Sequence, residues 1–113
     1  MLFSNAIKTR NHDVEGKSDW MWTASDDGAW DGPVQDWISH KEKYQKYCKN
    51  FRSVFQAGGN HGLYARLFSN LFQNVYTFEP DPLNFHCLVN NCQSPNIFKF
   101  NCAIAPTPKL ISL

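Results

Sequence analysis

Apolar positions change their period along this chain, and the changes mark out its elements. Residues 1–32 sustain no period. Gly16, Gly28 and Gly32 punctuate Asn-His-Asp and Ser-Asp-Asp clusters, so this stretch reads as irregular and Trp-rich. From Pro33, a broken apolar stripe of Val34, Trp37, Ile38, Tyr44 and Cys48 predicts a helix to about Asn50, with Asp31 or Gly32 as its cap. Ser53 to Gln56 is short, β-favouring and bounded by glycine, and reads as a first strand. Leu63, Leu67 and Leu71, flanked by Tyr64, Phe68 and Phe72, predict a helix over 61–72. Val75 to Phe78 reads as a second strand. Pro82 then opens a helix to about Cys92, with Leu83, Cys87 and Leu88 inward and Gln93-Ser94-Pro95 as its stop. Ile97 to Ala103 reads as a third strand, and Lys109 to Leu113 as a fourth cut short by the chain end.

Strands alternating with helices at this spacing imply right-handed crossovers and a parallel sheet. The expected fold class is α/β, the N-terminal half of a Rossmann-like doubly wound sheet over 33–113, preceded by the irregular segment 1–32. Ligands of such sheets sit at the carboxyl ends of the strands, where Gly58–Gly62, Glu79 and Asn101–Ala103 fall.

At 113 residues the chain makes one small domain, able to bury roughly 65% of its unfolded surface. Nine Phe and 42% hydrophobic content predict a packed core. Net charge of +1 gives no overall attraction for nucleic acid or membrane. Seven of the ten acids fall between Asp13 and Asp36, and Lys41, Lys43, Lys46, Lys49 and Arg52 follow. These read as a solvated tail and helix face, with an acceptor-binding surface as the alternative. Trp20, Trp22 and Trp30 are expected to pack on the domain; the alternatives are a partner or the missing half of a larger protein, and then a lip over an acceptor. Met1 to Arg10 has no signal-peptide pattern, and no stretch approaches the ~18 apolar residues of a membrane span, so a cytoplasmic location is expected. Cys48, Cys87, Cys92 and Cys102 show no CxxC pairing and are expected to be reduced and buried. A zinc site on His86, Cys87 and Cys92 is disfavoured, because helix positions 87 and 92 stand about 140° apart.

The candidate chemistry lies in Val54-Phe55-Gln56-Ala57-Gly58-Gly59-Asn60-His61-Gly62, answered by Val75-Tyr76-Thr77-Phe78-Glu79-Pro80-Asp81-Pro82. Glycines tolerate positive φ and close approach of a ligand, and amides opening the next helix favour a carboxylate or phosphate. A carboxylate about 20 residues beyond the first glycine suits a ribose. The glycines stand at i, i+1 and i+4, which is not GxGxxG, so a dinucleotide loop fits less well than another nucleoside-bearing cofactor. His61 is read as a structural or rim residue rather than a general base, and no Ser-His-Asp, Cys-His or paired-carboxylate arrangement is legible.

These segments, with Asn-Cys-Ala-Ile-Ala at 101–105, resemble the FkbM-type S-adenosylmethionine-dependent methyltransferases. Phe-Glu-Pro-Asp-Pro, followed by Asn84 and Phe85, is the most distinctive part. The Gln-Ala-Gly-Gly-Asn loop and the Trp-rich lead-in look like copies carried by bacteriophages, which would place the protein in the host cytoplasm. The resemblance spans about 52–113, under 60% of the chain. It implies S-adenosyl-L-methionine as cofactor and a cofactor-binding set of Gln56, Gly58, Gly59, Asn60, Gly62, Glu79, Pro80, Asp81, Cys102 and Ala103. In that set the glycines line the methionine moiety and Glu79 takes both ribose hydroxyls. Asp81 and Asn84 shape the rim, with a turn and helix start as their alternative role, and Cys102 and Ala103 border the adenine. Phe78 and Leu88 are expected in the core. The implied reaction is methyl transfer, often to an oxygen of a sugar or small-molecule acceptor. No catalytic residue and no metal is assigned.

Two departures shape the expectation. Members usually carry an acid where Gln56 stands, so weaker cofactor binding is expected here. The chain also stops at Leu113, before the strands that normally complete the sheet and carry the acceptor side. It is therefore expected to be a fragment, a truncated product, or a subunit whose sheet is completed by an oligomer or second chain. The alternatives to a methyltransferase are a non-catalytic remnant or interaction module and, less favoured, a nicotinamide-dinucleotide module.

Overall fold

Ser53, Val54, Phe55, Gln56 and Ala57 alternate in side-chain direction, and the same alternation in two later segments lets three strands stack in rows. The computed structural model describes residues 7–10, 20–23 and 31–110. Strands β3 (Ser53–Ala57), β4 (Asn74–Phe78) and β5 (Ile97–Phe100) form a parallel sheet in the order β3-β4-β5. Its register aligns Val54 with Val75 and Ile97, Phe55 with Tyr76 and Phe98, Gln56 with Thr77 and Lys99, and Ala57 with Phe78 and Phe100. The first and third rows face the helices. The second and fourth lie on the opposite face, where aromatic rings stack across strands.

Two crossover helices return over one face: α2 (Leu63–Phe68) and α3 (Pro82–Asn91). Ala65, Val75, Cys87, Leu88 and Cys92 are fully buried between them and the sheet. Burying such aliphatic side chains stabilises by about 1.5–3 kcal/mol each. Phe68 is the aromatic hub. It meets Trp37 edge-on at 5.4 Å, Tyr44 at 5.7 Å and Phe72 at 5.9 Å between ring centroids. Through Trp37 and Tyr44 it carries α1 (Asp31–Tyr47), the helix that precedes the sheet. Lys41, Lys43, Lys46, Lys49 and Arg52 are all exposed, so these charges lie in solvent.

The parallel α/β arrangement matches the sequence reading, and several boundaries differ. The nominally irregular segment 1–32 contains β1 (Ile7–Arg10) and β2 (Trp20–Thr23), an antiparallel pair with Ile7 opposite Thr23 and Arg10 opposite Trp20. Four-residue strands are too short for a period to show, and a nine-residue connection conceals their pairing. Helix α1 opens at Asp31, which places Pro33 in its first turn. Ile38, assigned to its apolar stripe, is 56% exposed, because it lies one residue and about 100° from Trp37. Helix α2 is half the expected length: Ser69-Asn70 turn the chain, and Leu71 and Phe72 donate their N–H groups back to the Phe68 carbonyl. Strand β5 ends at Phe100, and residues 101–110 form no further strand. Phe78, expected in the core, is half-buried on the open face, while Leu88 is fully buried. Cys87 and Cys92 are buried, Cys48 half-buried and Cys102 exposed, none in a disulfide. The side-chain packing expected of Trp20 and Trp22, all of Trp30, and the strand end at 111–113 lie outside what is described. No helix among the described residues is long and apolar enough to cross a membrane.

The α1–α2 contact includes a polar pair, in which the Tyr64 hydroxyl donates to Asp36 Oδ2. Burial, then the hydrogen bond and charge of Asp36, push the Tyr64 phenol up to about 12. A phenol raised in the folded state contributes stability fully below its unfolded value near 10, and that contribution is lost as pH climbs through about 12. Urea midpoints should therefore fall more steeply between pH ~10 and ~12 in the native protein than in Tyr64→Phe. Equal slopes would contradict the assignment.

Candidate functional site

Past Ala57 the chain must turn sharply to enter α2, and positive φ values make that turn: 79° at Gly58, 52° at Asn60 and 93° at Gly62. Gly58 and Gly59 both donate their N–H groups to the Phe78 carbonyl, at 2.8 and 2.9 Å, which pins the loop to the end of β4. Gly59 leaves no room for a side chain, since a Cβ there would run into Thr77 Oγ1 and reach 2.5 Å from Leu88 Cδ1. A Cβ on Gly62 would lie 2.5 Å from Cys92 Sγ.

Glu79 follows β4 directly and is only 6% exposed. Its Oε1 accepts the Asn60 N–H and its Oε2 accepts the Asp81 N–H, each at 2.8 Å. The carboxylate thus bridges the glycine loop and the turn after β4, and each oxygen keeps a second acceptor position. The Glu79 N–H donates to Phe100 at 3.0 Å, and Asn101 Nδ2 donates to the Glu79 and Pro80 carbonyls at 2.8 and 3.1 Å. All three strand ends therefore converge on this one residue.

The layer beneath is supplied by α3. Asp81 caps that helix, its Oδ1 accepting from Leu83 and Asn84 N–H at 2.9 and 3.2 Å, with Pro82 at the favoured first position. The alternative reading of Asp81 as a helix start is the observed one. Asn84 Oδ1 lies 3.2 Å from His61 Nε2, and His61 is 6% exposed, an interior residue of the loop rather than a rim residue. Asn91 donates to the His61 carbonyl at 2.8 Å and Cys92 Sγ to the Gly62 carbonyl at 3.1 Å. The same Asn91 side chain exchanges hydrogen bonds with Met21 N–H and C=O at 2.9 and 2.8 Å, tying the N-terminal hairpin to this layer. Burial, then the nearby charge of Asp81, push the Cys87 thiol up to about 11, so it is not a nucleophile near neutrality.

The expected site residues fall into two adjoining groups. Gly58, Gly59, Asn60, Gly62, Glu79 and Asp81 form the hydrogen-bonded loop cluster. Pro80, Cys102 and Ala103 line a cavity of about 630 Å³, together with Asn101 and residues 104–110. Gln56 stands apart from that cavity, half-buried on the helix-covered face, where its Oε1 accepts from the fully buried Thr77 hydroxyl at 2.8 Å. One expectation is narrowed. The N–H groups of Gly58, Gly59, Asn60 and Gly62 are all committed inside the protein, and α2 is only six residues long. None of these four amides is available to a ligand, and the loop residues themselves present acceptors, chiefly Glu79.

Thr77 and Asn91 carry parts of this arrangement that the sequence reading did not assign to the site, and Asn101, which it placed only among the strand ends, holds the Glu79 and Pro80 carbonyls. Thr77 sits next to Gln56 only through the β3–β4 register, and Asn91 is 30 residues from the loop it holds. Asn101 had a local signal, a polar amide directly after a strand end. Comparison with protein-family models, curated proteins and solved structures finds no match to this chain.

The two left-handed glycines differ in a way that mutation can read. Gly58→Ala meets no atom within 4 Å and should cost about 1–2 kcal/mol, from backbone strain alone. Gly62→Ala adds the Cys92 contact and should cost about 1–3 kcal/mol more by urea denaturation. Equal losses would show that Cys92 moves aside freely.

Proposed function

We propose that this chain binds S-adenosyl-L-methionine as the donor half of an FkbM-type methyltransferase. The observation that carries the reading is Glu79, a buried carboxylate at a strand end whose two oxygens each retain one acceptor position. Vicinal ribose hydroxyls supply two donors at matching separation, and bonds to a charged acceptor are the strong kind. The cavity bordered by Pro80, Cys102 and Ala103 takes the adenine; its size is within the roughly 300–1,000 Å³ usual for small-molecule sites. The internally committed loop amides favour a ligand that brings donors over one that brings a pyrophosphate, which argues against a dinucleotide.

The chemistry is methyl transfer from the sulfonium to an oxygen of a sugar or small metabolite. It requires mainly that donor sulfur, methyl carbon and acceptor oxygen be held close and in line. No side chain here is assigned to deprotonate the acceptor, so the role of this chain is to hold the donor. A second reading has one observation in its favour: both Glu79 oxygens already accept a backbone N–H, so the carboxylate also makes sense as a structural clamp in a non-catalytic module.

Calorimetric titration with S-adenosylmethionine, its demethylated product and NAD separates these readings. Binding of the first two, weakened about 10- to 100-fold in Glu79→Gln, is expected from the loss of a charged acceptor. Binding of NAD alone would favour a dinucleotide module, and binding of none the clamp.

Gln56 offers the cofactor's ammonium a neutral amide whose oxygen is already engaged by Thr77. Gln56→Asp should tighten S-adenosylmethionine binding by about 1–2 kcal/mol, and unchanged or weaker affinity would count against this placement.

A further inference from the structure

The open face of the sheet carries an unfinished aromatic column. Phe55, Tyr76 and Phe98 stack face to face across β3, β4 and β5, with centroids 4.7 and 5.0 Å apart and planes within 15° of parallel. The interior ring faces are consumed by their neighbours, so the column can grow only at its ends. At the β3 end the Phe55 side chain is 67% exposed, against 41% for Phe98 at the β5 end.

Among the described residues the edge beneath Phe55 is open in the same sense. Arg52 C=O accepts from Asn74 N–H at 2.9 Å, and Gly58 N–H donates to Phe78 C=O at 2.8 Å, so the even-numbered residues of β3 bond to β4. Ser53, Phe55 and Ala57 therefore direct their N–H and C=O groups away from the sheet. None of the residues from Ser53 to Ala57 is charged and none is proline, so the edge lacks the usual devices against strand addition. The β5 edge carries Lys99, which is such a device.

We propose that the β3 edge pairs with β3 of a second copy of this chain, antiparallel about a two-fold axis through Phe55. The strand is its own complement. It has five residues with Phe55 at the centre, so Phe55 lies opposite its partner's Phe55 and Ser53 opposite its partner's Ala57. Each facing pair then exchanges both outward hydrogen bonds, about six in all. The two Phe55 rings fall at the spacing of directly opposed residues, roughly 4.5–5.5 Å, and so join the two aromatic columns into one. A single added strand is a small contact, so the association is concentration-dependent and in the micromolar-to-millimolar range. This inference does not depend on the cofactor proposed above.

Sedimentation equilibrium of the full chain over that concentration range tests it. The mass is expected to rise from 13.0 kDa toward twice that value. Phe55→Lys places like charges opposite one another and should weaken association at least tenfold. Ser53→Pro removes an outward N–H, which an edge strand tolerates, and should weaken it while the circular dichroism spectrum keeps its native form. Val89→Lys, a change on the exposed side of α3, should leave association intact. A mass that stays at one copy, a dimer indifferent to Phe55→Lys and Ser53→Pro, or growth past two copies would each overturn the proposal.

Discussion

A buried carboxylate must be compensated, and in this protein the compensation of Glu79 organises the rest. Leaving such a charge unpaired would cost several kcal/mol, so its oxygens draw in the nearest backbone N–H groups, those of Asn60 and Asp81. Satisfying Oε1 requires the loop after β3 to fold back over β4, which in turn requires left-handed conformations at Gly58, Asn60 and Gly62. Satisfying Oε2 fixes the turn that presents Asp81 as the cap of α3. One side chain thus sets the geometry of the loop, the start of the next helix and the floor between them.

The two faces of the sheet divide the remaining work. The helix-covered face is closed by aliphatic and sulfur-bearing side chains, with Thr77 and Gln56 paired at its polar end. The opposite face is a wall of stacked rings with no layer over it among the described residues. Parallel sheets are ordinarily covered on both faces. That difference explains why Phe78, apolar and in a strand, is not in the core. The covered face supports the glycine loop; the edge of the open face is where we propose that a second copy pairs.

What the sequence discloses follows the range of the interactions. The three parallel strands, the start of α3 at Pro82 and the glycine loop were legible because each has a local cause: alternation, proline at a first turn, positive φ. The N-terminal hairpin was not, because strands of four residues paired across nine others leave no periodic trace. The full length expected of α2 ignored the turn-forming Ser69-Asn70 inside an apolar pattern. The place of Glu79 at a strand end was readable, but the direction of the loop amides was not. Three of the four donate to the Phe78 carbonyl at the end of β4 or the Glu79 carboxylate just past it, and only the fold shows that these amides are used up. Thr77 and Asn91 escaped notice for the same reason, since each acts on a residue distant in sequence.

The most direct test of the central role of Glu79 is the amide ¹H–¹⁵N spectrum of the native protein against Glu79→Ala. Charge-assisted hydrogen bonds are short and strong, so the Asn60 and Asp81 amide protons should both resonate far downfield in the native protein. In the variant both should move upfield together and exchange faster with solvent, while Val75 and Ile97 in the sheet stay in place. Asn60 and Asp81 resonances that keep their positions in Glu79→Ala would contradict the account.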